Sequence, residues 1–170
     1  LHTAYRRQRQ MCIRDRTWRA YLSQQAVDGK PAVNARDRIG NGPWVNAAGV
    51  QIAANVADLH DQAKANINVT TGLTETNRMV MSRLFVVNFH DILTGSNADG
   101  TAPAPDKDMT CGNWTKGGEG TAMVGHHDRM GLNDSPEAKS WNASHPTRSC
   151  DNPGLRSTGG NGLLYCFAIN

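Results

Sequence analysis

Long apolar runs are missing from this chain. Its strongly apolar pieces are no longer than stretches such as Leu84 to Val87, far below the roughly 20 residues a membrane-crossing helix needs, so membrane insertion is not expected. Glutamate is scarce too: Glu75, Glu119 and Glu137 are the whole set. None stands with a second carboxylate in the pattern of a general acid and base, which argues against glycoside hydrolysis. His-Glu-x-x-His and Gly-x-Ser-x-Gly do not occur, removing the usual signatures of zinc proteases and serine hydrolases. Gly95 to Thr101, GSNADGT, has the two-glycine spacing of a phosphate loop but no Lys to reach phosphates, so it reads as a surface turn. Internal repeats and low-complexity tracts are also lacking. Together these absences speak for a protein that is not an enzyme.

The chain has 18 basic and 15 acidic residues, and the excess of positive charge is local. Five of the basic and one of the acidic side chains lie in residues 1–16, leaving 13 and 14 beyond them. The run Arg6 to Arg16, RRQRQMCIRDR, has no apolar period and matches one translated frame of the adapter used in transposase-based sequencing libraries. Residues 1–16 are therefore expected to be adapter-derived and unstructured, and residues 17–170 to form one domain. A nearly neutral remainder gives no electrostatic case for nucleic acid. Arg36, Arg38, Arg148 and Arg156 read as solvated or locally paired.

Three cysteines remain past residue 16: Cys111, Cys150 and Cys166. In a chain rich in Gly, Asn and Thr, an odd number suggests an extracytoplasmic disulfide framework with one partner missing. Trp18, Tyr21 and Leu22 predict a short helix or turn within Thr17 to Ala26. The Gly-Asn-Gly-Pro turn at 40–43 precedes Trp44 and a strand over Gly49 to Ala53. Asn55 is placed to cap a helical turn through Val56, Leu59 and His60. Ile67 to Met81 has the pattern of a hairpin. His90 to Leu93 reads as a strand, followed by a polar loop to Asp108, then a strand pair over 110–115 and 121–126. Gly162 to Asn170, GLLYCFAIN, reads as a central buried strand. Much irregular chain around a small sheet fits the α+β class.

The order of several short motifs carries a resemblance. TWRAYLS (17–23), VNARDRIGNGPW (33–44), HDILTGSNADGTA (90–102), TCGNWT (110–115), Ser149-Cys150 and LYCF (164–167) resemble, collinearly, the endostatin pattern. They are similar also to bacterial secreted proteins with endostatin-like or lectin-like domains. The resemblance implies the C-type-lectin-like fold: a small twisted antiparallel sheet with short helices and long disulfide-clamped loops. It further implies nested bridges, with Cys111 paired to Cys150 and Cys166 a buried orphan whose partner would lie upstream of Thr17. Function follows as an expectation: a secreted or cell-surface recognition domain binding glycan or an extracellular protein through loops 94–156. A structural or adhesive domain without a small ligand is the alternative, and a zinc-dependent hydrolase using His126 or His127 a weaker third.

Among candidate site residues, Trp141 lies in the polar segment SWNASHP, where its ring could stack on a sugar beside Asn142 and His145. Trp18, Trp44 and Trp114 are assigned to the core. Trp141 and Asn142 echo the lectin calcium signature, but Ala143 stands where the acidic ligand would be, so calcium is not expected. His126, His127, Asp128 and His145 offer groups that zinc prefers. Adjacent strand residues point to opposite faces, however, so His126 and His127 cannot share an ion while the strand continues. His127 and Asp128 are therefore assigned to ligand contact rather than to metal, and no cofactor is expected.

Overall fold

The computed structural model describes residues 16–170. The chain enters as a strand where the sequence predicts a helix: β1, Trp18–Ala20, pairs antiparallel with a strand at the far end of the chain. Beyond it, burial alternates: Tyr21, Ser23 and Gln25 point inward. Two of those three inward residues are polar, which hides the period of two from any reading by hydrophobicity. They are accommodated by hydrogen bonds. Ser23 Oγ lies 2.8 Å from Ser96 Oγ, and the Gln25 amide donates to Ala104 O and Lys107 O while accepting from Met109 N.

After a single 3₁₀ turn at Ala35–Asp37, β2 (Trp44–Val45) and β3 (Gln51–Ala53) form a small antiparallel ribbon. Helix α1, Val56–His60, begins as expected: Asn55 is extended, and its side-chain oxygen accepts from Asp58 N at 2.9 Å. Residues 67–81 hold turns and one isolated bridge, Leu73 to Met79, in place of the expected hairpin.

The largest sheet has four strands in the order β6-β5-β4-β7: β4 is Asp91–Leu93, β5 Met123–His126, β6 His145–Pro146 and β7 Gly160–Leu164. Its register sets Asp91 opposite His126 and Val124 opposite His145. The β4–β7 pair is parallel, so the sheet is mixed, not purely antiparallel. The short helix α2, Asn152–Arg156, is capped by the Asp151 carboxylate and supplies the crossover into β7. The last apolar run does not form one central strand. It divides into the edge strand β7 and into β8, Cys166–Ala168, which pairs with β1.

Residues 110–115 also depart from a strand. Thr110 makes a single bridge to Ala122, after which Cys111, Gly112, Asn113 and Trp114 all take left-handed φ between 50° and 68°. Outside glycine this conformation costs roughly 1–2 kcal/mol per residue. The turn is tied at several points. Asp108 accepts from Gly112 N, Asn113 Oδ1 accepts from Gln25 N, and Trp114 Nε1 donates to Ser23 O. Cys111 is bridged to Cys150, with Cα atoms 5.8 Å apart. The architecture is thus α+β, with small sheets, short helices and one disulfide. No helix among the described residues is long and apolar enough to cross a membrane.

The core gathers Tyr21, Ile39, Trp44, Ile52, Leu59, Ile67, Trp141 and Phe167. Its aromatic centre is Tyr21, whose ring lies 4.9 Å from that of Trp141 and 6.0 Å from that of Phe167. Cys166 is unpaired as expected but exposed, not buried, because β8 turns Phe167 inward instead. The reading of residues 1–15, Cys12 included, lies outside the described residues. Arg16 makes a contact, donating from its guanidinium to Asn170 O.

Candidate functional site

The sheet register assembles a polar cluster that no contiguous motif announces. Asp91 and His126 face each other across β4 and β5. His145 arrives on β6, and His90 stands just before β4 begins, where strand alternation no longer separates neighbours. Asp91 Oδ1 is the hub. It lies 3.2 Å from His90 Nε2, 3.3 Å from His126 Nε2 and 3.6 Å from His145 Nε2. His126 Nε2 and His145 Nε2 are 3.1 Å apart, and the rings of His90 and His126 stack with centroids 4.2 Å apart.

The opposite nitrogen of each ring faces an acceptor. His90 Nδ1 is 3.2 Å from Asp128 Oδ1, His126 Nδ1 is 2.7 Å from Ala138 O, and His145 Nδ1 is 3.1 Å from Pro146 O. Donation at Nδ1 fixes the tautomer and leaves each Nε2 as the acceptor nitrogen, on the side of Asp91. Asp91 is 1% exposed, and neither carboxylate oxygen has a hydrogen-bond partner of normal geometry. Burial alone would raise its pKa, but the imidazoles of His126, His145 and His90 more than offset this and hold it down to about 2. His145, facing that carboxylate, is raised above the usual imidazole range. Such a group can share protons among imidazoles or hold a cation; a buried anion left with neither is costly.

A close glycine approach makes room for it. Gly159, at φ +105°, lies so near His90 that a Cβ there would come within 2.9 Å of the ring. His90, His126 and His145 of the cluster line a cleft of about 460 Å³, together with Arg83, Arg148, Ser144, Ser157 and Thr158. A shallower depression of about 370 Å³ continues from it past Arg83 and Asn133 toward Lys139.

In comparisons with known proteins, the chain matches no family model, no curated protein and no solved structure.

Of the residues singled out in the sequence, His126 and His145 line this cleft. Asp128 stands behind His90 and also accepts from Arg83 N and Met130 N, so it orients rather than contacts a ligand. Burial would raise its pKa, yet His90 and these two amides hold it below the usual carboxylate range. His127 lies just past the end of β5 and does not line the cleft. It is 1% exposed, its ring nitrogens lack partners of normal geometry, and burial lowers its pKa. It cannot contact a ligand in the cleft.

Trp141 is a correction. Its exposure is 0%, its indole N–H donates to Leu59 O, and its ring packs on Tyr21, His60 and Tyr165; no sugar can stack on it. Trp18, assigned to the core, is 41% exposed. Asn142 is equally internal, its amide donating to Tyr21 Oη, Asn97 O and Ala98 O. Sequence reading missed His90 and Asp91. The only signal they offered was His-Asp at the mouth of a predicted strand, with nothing to say which strand would lie alongside.

Proposed function

We propose that the chain is an extracytoplasmic recognition domain of the endostatin or C-type-lectin-like kind, and that it binds an acidic glycan in the cleft above Asp91. The observation that carries this reading is the lining of the cleft. Arg83 and Arg148 stand over a wall of hydroxyl and amide groups, and no Asp or Glu lines it. A guanidinium group suits a carboxylate or sulfate, which it can grip in bidentate fashion. Ser144, Ser157, Thr158 and Asn133 suit sugar hydroxyls. The depression beyond Arg83 gives room for a second sugar unit.

The lining holds His90, His126 and His145 but no Asp or Glu, so it lacks the carboxylate pair of glycoside hydrolysis. The Cys111–Cys150 bridge supports an oxidising compartment and agrees with the pairing that the resemblance implies. Titration calorimetry with a uronic acid oligosaccharide and its neutral counterpart tests the proposal. The acidic ligand should bind and the neutral one bind weakly. Arg148→Ala should lower affinity by about 10- to 100-fold, the size of a lost charged hydrogen bond, without moving the melting temperature, since Arg148 is exposed. Equal affinity for both ligands, or affinity untouched by Arg148→Ala and Arg83→Ala, would sink it.

A further inference from the structure

We propose that the cluster of His90, Asp91, His126 and His145 holds a divalent transition metal of the zinc class. The inference stands apart from the glycan reading and is tested separately. Geometry supplies the first argument. Zinc bonds to nitrogen and oxygen of about 2.0–2.1 Å place the donors of a tetrahedron about 3.3–3.4 Å apart. Asp91 Oδ1 lies 3.2, 3.3 and 3.6 Å from the Nε2 atoms of His90, His126 and His145, and the Nε2 atoms of His126 and His145 are 3.1 Å apart, near that edge. The ligand atoms of His90, Asp91 and His126 all lie within 4.8 Å of one another.

The second argument is which ring nitrogen is left free. Each imidazole is tied at Nδ1 to an oxygen acceptor: Asp128, Ala138 O or Pro146 O. This is how metal-bound histidines are oriented by the groups behind them. The Nε2 acceptors are thereby left on the side of the Asp91 carboxylate, and acceptors brought this close repel unless a proton or a cation joins them. The third argument is Asp91 itself, a buried carboxylate whose two oxygens have no hydrogen-bond partner although the protein satisfies most others around it. A bound ion supplies what it lacks.

The donors also select the ion. Three imidazoles and one carboxylate suit zinc and its first-row neighbours. They do not suit calcium or magnesium, which want oxygen throughout, nor copper(I), which wants sulfur. His90, Asp91 and His126 are buried, while His145 keeps a third of its side chain exposed at the cleft. The ion therefore enters from the cleft, past His145.

Protein stripped with a chelator and dialysed should take up one Zn²⁺ per chain by calorimetry, and Co²⁺ should give the intense visible bands of tetrahedral coordination. His126→Gln and His145→Gln should each remove most of the affinity. Asp128→Asn, acting through His90, should weaken it by about 10- to 100-fold. His127→Gln, adjacent in sequence but outside the cleft, should leave it unchanged. Should His126→Gln fail to fold, His145→Gln carries the same test from the surface. No stoichiometric uptake, uptake unchanged in His145→Gln, an octahedral Co²⁺ spectrum, or an equal loss in His127→Gln would each overturn the site.

Discussion

Tyr21, His60, Trp141 and Asn142 make one buried hydrogen-bonded unit. The Asn142 amide donates to Tyr21 Oη, Tyr21 donates to His60 Nε2 at 2.7 Å, and His60 Nδ1 donates to Val56 O. Removing Trp141 from its centre leaves an indole-sized hole, so Trp141→Ala should cost about 3–5 kcal/mol, read from the urea midpoint. Trp18→Ala should cost far less, and equal losses would contradict the burial described. The same unit predicts a pH response. Burial lowers the pKa of His60, with the Val56 carbonyl opposing in part, so its folded pKa lies below the unfolded value near 6.5. The stability it contributes is complete above that value and is lost as pH falls through it toward the folded pKa. The melting temperature should therefore fall from pH 7.5 to 5.5, and His60→Gln should flatten part of the slope; identical slopes would refute the assignment. The Asn55 cap was legible because capping is settled within four residues. Trp141 was not, because a polar sequence neighbourhood says nothing about which distant ring will cover it.

Elements show the same division. β3, α1 and β4 follow from local pattern, turn chemistry and capping. The left-handed turn at Cys111–Trp114 does not, since Cys, Asn and Trp rarely adopt it unaided and its ties come from Ser23, Gln25, Asp108 and Cys150. The disulfide is its strongest tie. With partners 39 residues apart, the bridge should contribute about 4 kcal/mol in the chain-entropy view. Replacing both Cys111 and Cys150 by Ala should lower stability by that order, and a loss below about 1 kcal/mol would show that the hydrogen bonds alone hold the turn. The imidazole cluster belongs to this non-local class as well. Its members stand at 90, 91, 126 and 145, and only the register of three strands joins them.

Across the whole molecule, most of the sheet is built from distant segments: β4 pairs with β7, and β1 with β8 at a separation of about 150 residues. Ordering so much chain before these contacts form is entropically costly, and folds dominated by such pairing assemble slowly. Stopped-flow refolding with the disulfide intact should be slow, in the millisecond-to-second range of proteins with long-range pairing; complete refolding in microseconds would contradict it. The consequence of the β1–β8 pair reaches into biosynthesis. During translation the backbone edge of β1 has no partner until the final strand leaves the ribosome, and Tyr21, next to that edge, waits for Phe167. Most of the polypeptide must exist before its first strand can be closed, so the nascent protein depends on whatever shields that edge in the meantime.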